Sequence, residues 1–533
     1  MNESDYERMA ERRRARQKKR RHQVLMMKGI ILAVLVVVLV IASSAAWHFL
    51  SPSGDAKKNP KDNNLTASSD AKNTENTSAG ETESETGSET ETEGTSDPIA
   101  EARLLAAGYD YDGAIDLLKS VDSYESNTEI MAAIQEFETT KASCVAVDVT
   151  TVPHIFYHSL INDTTRAFDV SVLGQSQVDG MNAWMTTVEE FDKITQTMYD
   201  NGYVFVRLRD LVTETTDENG NVTFAPNQNL MLPPDKKAVV LSVDDLSYYH
   251  SYQKAGYPDK LILDENGDVK CHYVTADGTE EVGDFDVVPR LNTFLKEHPD
   301  GAYKGARGLI ALTGYNGVFG YRTDSDYETK EHLQEDQAKW LEEHPDFNRQ
   351  TEIQEATVIA NALKEEGWEF ASHTWGHLSV TDKTVDELKA DNEKWVANVQ
   401  NIVGAVDTII FAHGNDIGDW HDYSDSNEKY QYFKSAGYNF FCNVDASQPY
   451  WVQIRDHYVR QGRIDLDGYQ LYQSSLGQTT VLDNMFKASE VFDQRRPTPV
   501  VAHGQSQSFI SKSHTHLRFK SLPYSTGQGL LEY

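Results

Sequence analysis

A short apolar run that ends in two adjacent carboxylates constrains this chain more than any other feature of its sequence. Residues 239–243 are rich in β-branched side chains and too few for an independent helix, so they predict a buried strand. Asp244 and Asp245 follow immediately. Carboxylates at the end of a buried strand occupy the usual place of α/β active sites. An Asp-Asp pair alone is nevertheless more often a capped strand end followed by a polar turn.

Strand and helix patterns alternate from residue 150 to about 490. Each strand pattern is a brief apolar run that ends in polar residues, and each helix pattern has apolar residues at helical spacing. This alternation predicts an α/β domain with a mostly parallel sheet or barrel, interrupted by an insertion at 250–305. The predicted strands lie at 152–160, 203–208, 239–243, 308–314, 368–377, 407–412 and 438–444, and the predicted helices at 187–202, 350–366, 385–403 and 427–436.

The composition limits the classes of partner. The chain has 533 residues and a formal net charge of −34, and its 39% hydrophobic content is enough for a large core. The acidic balance excludes a nucleic-acid backbone as partner, because no basic stripe occurs outside the N-terminus. Cys144, Cys271 and Cys442 lie far apart without a Cys-x-x-Cys motif. They predict neither a zinc knuckle nor a disulfide framework.

The N-terminus has the pattern of a membrane anchor. Residues 1–28 are strongly basic, and residues 29–50 are almost continuously apolar. Roughly 20 apolar residues span a bilayer core, and a preceding basic cluster favours a cytoplasmic N-terminus. We therefore expect a single-pass cell-membrane protein with an extracellular catalytic domain. The alternative is a signal peptide that is cleaved near the small residues 43–46.

Three further segments lie outside the α/β domain. Residues 51–97 are Ser, Thr, Glu, Asn and Gly with little apolar content, which predicts a disordered acidic linker. Residues 98–145 show helical patterns that resemble one tetratricopeptide-like hairpin, for which a spacer or docking role is expected. The tail 500–533 has little periodicity and is expected to be disordered.

Two histidines give the Asp-Asp pair a chemical context. His373 and His377 follow a predicted strand, and on a helical turn this spacing places both imidazoles on one face. Two imidazoles and one carboxylate suit zinc or another divalent ion, and the second carboxylate is then free to act as a base. Neighbouring strand residues point to opposite faces, so Asp244 and Asp245 can share one site only where the strand has ended and the chain turns.

The order of these motifs resembles that of the polysaccharide deacetylases, the NodB-homology domains of carbohydrate esterase family 4. Residues 242–246, Ser-Val-Asp-Asp-Leu, resemble the family's Thr-Phe-Asp-Asp-Gly motif, and residues 373–377, His-Thr-Trp-Gly-His, match its His-Ser/Thr-x-x-His motif. The resemblance covers about residues 152–483 and implies a distorted (β/α) barrel. It implies Asp244 as general base and Asp245, His373 and His377 as ligands of a divalent metal, zinc first, with cobalt, nickel or manganese as alternatives.

The chain departs from the family pattern at several positions. Ala412 stands where the third motif has an Arg that orients the base, and Leu246 replaces the Gly of the first motif. Arg460 and Arg463 are candidates to replace that Arg. The usual general-acid His has no clear counterpart, and the candidates for general acid or substrate contact are His413, His457 and His158.

Four aromatic residues are candidates for stacking on sugar rings. Aromatic faces pack on pyranose rings, although the same residues also serve as ordinary core. These candidates are Trp375, Trp420, Tyr450 and Trp451.

The sequence therefore supports two main functional hypotheses. The first is a membrane-anchored, metal-dependent hydrolase that removes N-acetyl groups from a cell-wall or surface polysaccharide, such as peptidoglycan or another N-acetylglucosamine polymer. The alternative is a catalytically impaired glycan-binding or cell-envelope assembly protein that retains the barrel. A third hypothesis is hydrolysis of a different amide or ester by the same metal site.

Overall fold

The computed structural model describes residues 97–218 and 220–502. Among these residues no helix is both long and apolar enough to cross a bilayer, and the longest, Arg349–Glu366, carries charged residues along its length. This finding corrects the prediction of a single-pass cell-membrane protein with a cytoplasmic N-terminus and an extracellular catalytic domain. The predicted basic segment, the apolar run 29–50 and nearly all of the linker and tail lie outside the described residues.

Strands form where the sequence has short apolar runs, and several further hairpins occur in the connections. The strands are β1 (Val145–Ala146), β2 (His154–Tyr157), β3 (Tyr203–Phe205), β4 (Val212–Thr216), β5 (Val222–Pro226), β6 (Met231–Leu232), β7 (Lys237–Asp244), β8 (Lys260–Leu263), β9 (Val269–Val274), β10 (Glu280–Gly283), β11 (Leu309–Leu312), β12 (Glu369–Ser372), β13 (Thr408–Ile410), β14 (Phe440–Val444), β15 (Trp451–Arg455) and β16 (Tyr458–Asp465).

Helices fill the connections between the parallel strands. Several begin with a capping box, such as Thr187 with Glu190 and Thr384 with Glu387. The α-helices are α1 (Pro98–Ala107), α2 (Tyr111–Lys119), α3 (Thr128–Ser143), α4 (Thr164–Ala167), α5 (Val170–Leu173), α6 (Gln175–Trp184), α7 (Val188–Asp200), α8 (Val287–Glu297), α9 (Asp326–Thr329), α10 (Glu335–Glu343), α11 (Arg349–Glu366), α12 (Val385–Trp395), α13 (Asn401–Val403), α14 (Glu428–Ser435), α15 (Gly468–Ser475) and α16 (Ala488–Val491).

Seven parallel strands close into a barrel. Their order is β2, β7, β11, β12, β13, β14 and β16, and β16 pairs again with β2. Strand β3 pairs in parallel with the first residues of β7, and β15 pairs antiparallel with β16. The prediction of a (β/α) barrel is thereby confirmed as a closed parallel barrel with helices in its connections. All seven strands end at one rim, where barrel enzymes carry their active sites.

Alternate residues of the barrel strands face its interior. Small side chains such as Ala311, Ala371 and Cys442 belong to one buried cluster that strands from opposite sides of the barrel share. Towards the carboxyl ends the interior becomes polar, with Ser242 on β7 and Arg463 on β16 both buried. The outward-facing residues of the same strands pack in a second cluster against the surrounding helices. The small interior side chains leave room for polar groups at the mouth.

Two regions flank the barrel. Helices α2 and α3 lie in the segment where a helical hairpin is predicted, and Tyr109 before α2 donates from its hydroxyl to the Asp300 carbonyl at 2.6 Å. This region therefore packs on the connection that precedes β11. The insertion predicted at 250–305 contains the three-stranded antiparallel sheet β8–β10 and the helix α8.

Candidate metal centre

The strand that carries the carboxylates ends between them. Asp244 is the last residue of β7, and Asp245 has a left-handed backbone with φ of 58°. The chain therefore turns between the two carboxylates, as it must if both are to lie in one site. Both side chains are nearly inaccessible to solvent, with exposures of 2% and 3%. Left-handed backbone at a non-glycine residue is costly and concentrates at functional sites.

The two histidines lie on an irregular turn. His373 directly follows β12, and both Thr374 and His377 have positive φ, 62° and 51°. The prediction of a helical turn is wrong here, because left-handed residues at these positions break the α-helical path. The turn nevertheless brings the two imidazole rings within 5.1 Å of each other, centroid to centroid.

Asp245, His373 and His377 form a set of potential metal ligands. One donor atom from each lies within 4.8 Å of the other two, and His377 Nε2 is 3.5 Å from Asp245 Oδ2. Two imidazole nitrogens and one carboxylate oxygen are ligand types that zinc accepts, with further positions open for water and substrate. The residues present therefore fit a divalent ion.

Burial keeps both imidazoles in the form that binds metals. Desolvation lowers the pKa of His373 to about 4, against the favourable charges of Asp244 and Asp245. Desolvation likewise lowers the pKa of His377 to about 3. His373 Nδ1 donates to the Ile410 carbonyl at 2.7 Å, which leaves Nε2 free as a ligand atom.

A neighbouring hydroxyl fixes the carboxylate ligand. Tyr249 donates from its hydroxyl to Asp245 Oδ1 at 2.8 Å, and the same hydroxyl is 2.8 Å from Thr313 Oγ1. Thr313 directly follows β11, which lies between the strands of the carboxylates and the histidines. This contact orients one oxygen of Asp245 and leaves the other, Oδ2, on the side of His377.

Asp244 is bound by an arginine of β16, the second strand along the barrel from β7. Arg463 Nη1 donates to Asp244 Oδ1 at 2.8 Å and to Ser242 Oγ at 3.1 Å, and its guanidinium lies 4.1 Å from the Phe156 ring centroid. Burial raises the pKa of Asp244, but the charges of Arg463 and His373 together outweigh this effect and lower it to about 2. Asp244 is therefore ionised, and its Oδ2 lies 3.8 Å from His373 Nε2.

Of the two arginine candidates, only Arg463 reaches Asp244. Arg460 is three residues earlier on β16, so its side chain points to the opposite face. There it donates from Nη2 to Asp416 Oδ2 at 2.7 Å, in the loop after β13. The contact that the family pattern assigns to a third-motif Arg is thus made from a different strand.

An aspartate that the motifs do not include holds the histidine turn. Asp391 on α12 accepts from Trp375 N at 2.7 Å and from Gly376 N at 2.8 Å, between the two histidines. It is 7% exposed and shares the buried face of its helix with Leu388 and Trp395. A carboxylate at a position where helical spacing calls for an apolar residue was the sequence signal for this role.

The three additional histidines occupy different places. His158 follows β2 at the rim, and its charge acts on the pKa values of both Asp244 and His377. His413 is exposed and donates from Nε2 to the His377 carbonyl at 3.1 Å. His457 lies in the turn before β16, at the amino end of the barrel. Because β16 ends at the rim, His457 is on the wrong side for the general-acid role for which it was a candidate.

The four aromatic candidates also lie in different parts of the structure. Trp375 lies between the histidines and donates from Nε1 to Asp324 Oδ2 at 2.6 Å. Trp420 lies in the loop after β13 and is 71% exposed. Tyr450 and Trp451 lie at the start of β15, on the edge of β16, and the Trp451 ring packs beside the Arg460 guanidinium. Trp375 and Trp420 thus follow β12 and β13 at the rim, and Tyr450 and Trp451 lie in the connection that follows β14.

Comparisons with known proteins give a structural likeness at low sequence identity. No protein-family model matches the chain, and no curated protein matches it. Among solved structures, the Streptococcus pyogenes deacetylase PplD in complex with acetate matches over 60% of this chain and 96% of its own, with 15% sequence identity and a TM-score of 0.28. The chemistry of the site in this chain is therefore argued from its own geometry.

Proposed function

We propose that this protein is a metal-dependent hydrolase that removes N-acetyl groups from a polysaccharide. The observation that carries the proposal is the joint position of a three-residue ligand set and a separate buried carboxylate. Asp245, His373 and His377 lie within 4.8 Å of one another, and Asp244 is ionised beside them. Their order in the chain is that of the deacetylase motifs, and they lie at the catalytic rim of a parallel barrel.

Asp245, His373 and His377 would hold the ion, which supplies Lewis-acid polarisation of the acetamide carbonyl and acidifies a water. Asp244 accepts the proton of the attacking water. Arg463 keeps that carboxylate ionised and directs one oxygen away from the reaction, because Oδ1 is occupied by the guanidinium. Since a carboxylate of such low pKa is a weak base, it can act only on an acidified water, which is why base and ligand set belong together.

We assign protonation of the leaving amine to His158. Its ring centroid is 5.7 Å from that of Phe156, which itself lies under Arg463 in the barrel interior. His158 is two residues further along and continues this inward-facing row beyond the end of β2. Its charge lowers the pKa of Asp244, which places the imidazole near the proposed base.

The substrate class follows from the reaction and the charge of the protein. The reaction releases acetate and leaves a sugar amine in a cell-wall or surface polysaccharide, for which peptidoglycan and other N-acetylglucosamine polymers are the candidates. A net charge of −34 disfavours a polyanionic substrate. A neutral N-acetylated glycan meets both conditions.

Acetate release from N-acetylglucosamine oligomers by the full chain tests this proposal. We expect about one divalent ion per chain by elemental analysis and measurable acetate release. Asp244→Asn is expected to keep the ion and lose turnover, and His373→Ala to lose both. Bound metal without acetate release from any glycan would refute the deacetylase and favour the glycan-binding alternative. A His373→Ala variant that binds metal as the wild type does would refute the ligand set.

A further inference from the structure

The loop after β13 presents an unusually exposed aromatic side chain. Trp420 is 71% exposed, more than any other large hydrophobic side chain in the described part of the chain. Its indole stacks on the His421 imidazole at 3.7 Å, with 29° between the planes. One face of the indole is therefore covered by the protein, and the other faces solvent. Leaving so much apolar surface in water is unfavourable.

The backbone on both sides of Trp420 is clamped by one buried arginine. Arg460 donates from Nη2 to the Asp419 carbonyl and from Nη1 to the His421 carbonyl, each at 2.7 Å. Arg460 is 1% exposed and also forms an ion pair with Asp416 at 2.7 Å. Burying a guanidinium is costly unless the ion is paired and hydrogen-bonded. Here these bonds fix the loop that displays Trp420, so the indole is held in place and not merely left at the surface.

The same loop is joined to the segment that carries the metal-ligand histidines. His413 donates to the His377 carbonyl at 3.1 Å, at the ligand itself. Further along, Asn415 and Asp416 bond to the residues that follow His377. These contacts run from Asn415 Nδ2 to Ser379 Oγ at 3.0 Å and from Thr381 Oγ1 to the Asp416 carbonyl at 2.7 Å. The position of Trp420 is therefore fixed relative to the candidate metal centre.

We infer that Trp420 is a stacking platform for a sugar ring of the substrate other than the ring that is deacetylated. The inference rests on the proposed function and adds a requirement for chain length: the protein acts on oligomeric or polymeric glycan in preference to a single sugar. The apolar face of a pyranose ring packs on an indole, and a rigid aromatic surface binds it with little loss of conformational freedom.

A chain-length series in the full chain tests the platform. For the wild type, kcat/KM for acetate release is expected to rise from N-acetylglucosamine disaccharide to hexasaccharide. In Trp420→Ala the KM for the hexasaccharide is expected to rise, so that this preference falls about tenfold. Trp420→Tyr is expected to keep most of the preference. Met131→Ala, which removes another exposed apolar side chain on α3, is the matched control. An unchanged chain-length preference in Trp420→Ala overturns the inference while leaving the deacetylase intact.

A binding measurement separates the platform from the chemistry. The Asp244→Asn protein is titrated with the hexasaccharide, and tryptophan emission is recorded. A change in emission that disappears when Trp420→Phe is added supports the platform, even if the wild type releases no acetate. The same emission change with and without Trp420→Phe, or none in either, overturns it.

Discussion

Asp391→Asn is expected to weaken divalent-metal binding while leaving the barrel folded. Asp391 accepts two backbone N–H bonds, from Trp375 and Gly376, inside the turn that joins the histidine ligands. Asn offers one oxygen where Asp offers two, so one buried donor loses its acceptor. A hydrogen bond to a charged group contributes about 1.5–3 kcal/mol. Expressed as binding, this is about a 10- to 100-fold loss of affinity, as found for residues that orient metal ligands.

Calorimetric titration of the metal-free protein with Zn²⁺ at pH 7 measures this loss. Asp386→Asn, an exposed carboxylate on the same helix α12, is the control and is expected to bind as the wild type does. Asp391→Glu keeps both oxygens and is expected to retain most of the affinity. Equal affinities for Asp391→Asn and the control, with both proteins folded by circular dichroism, would refute the role of Asp391.

Three further predictions concern the proton-transfer groups and a buried imidazole. Replacing Arg463 by Gln removes a charge that holds the pKa of Asp244 at about 2, so this pKa rises and the acidic limb of the kcat/KM profile moves to higher pH. An unmoved limb contradicts this. His158→Ala is expected to lower kcat for an N-acetyl amide about 100-fold. It should lower kcat for an aryl acetate much less, because the leaving group of that ester needs no proton. His457→Ala is expected to change neither kcat value. Burial lowers the pKa of His250 to about 2, so the unfolded chain takes up a proton below about pH 6.5 that the folded chain cannot. Stability therefore falls as the pH drops below that value, by about 1.4 kcal/mol per pH unit, and urea unfolding of His250→Gln at pH 7 and 5 should show this loss removed.

Local patterns in the sequence were sufficient to predict a mostly parallel α/β sheet or barrel, and the choice of a barrel came from the family resemblance. Each barrel strand is a short apolar run, and the polar residues that stop it lie at the common rim because the strands are parallel. Asp244 and His373 are therefore brought to one place by topology alone. The prediction that the chain must turn at Asp245 is borne out by its left-handed backbone.

The parts of the site that depend on register and on side-chain direction could not be predicted. Whether Arg460 or Arg463 meets Asp244 depends on how β16 pairs with its neighbours, and a shift of one residue exchanges the inward and outward faces. The turn from His373 to His377 has helical spacing but two left-handed residues, and its shape depends on Asp391, a residue on the next helix. Local sequence periodicity does not predict such contacts between segments that are distant in the chain.

An anomalous-diffraction map of crystals of the full chain grown with Zn²⁺ tests the central claim most directly. We predict one strong peak, about 2.0–2.2 Å from His373 Nε2, a nitrogen of His377 and an oxygen of Asp245. Asp244 should remain outside the coordination sphere, bound to Arg463. A peak that includes Asp244 as a ligand in place of Asp245, or no peak at these residues, would contradict the division between one carboxylate that binds the ion and one that acts as the base.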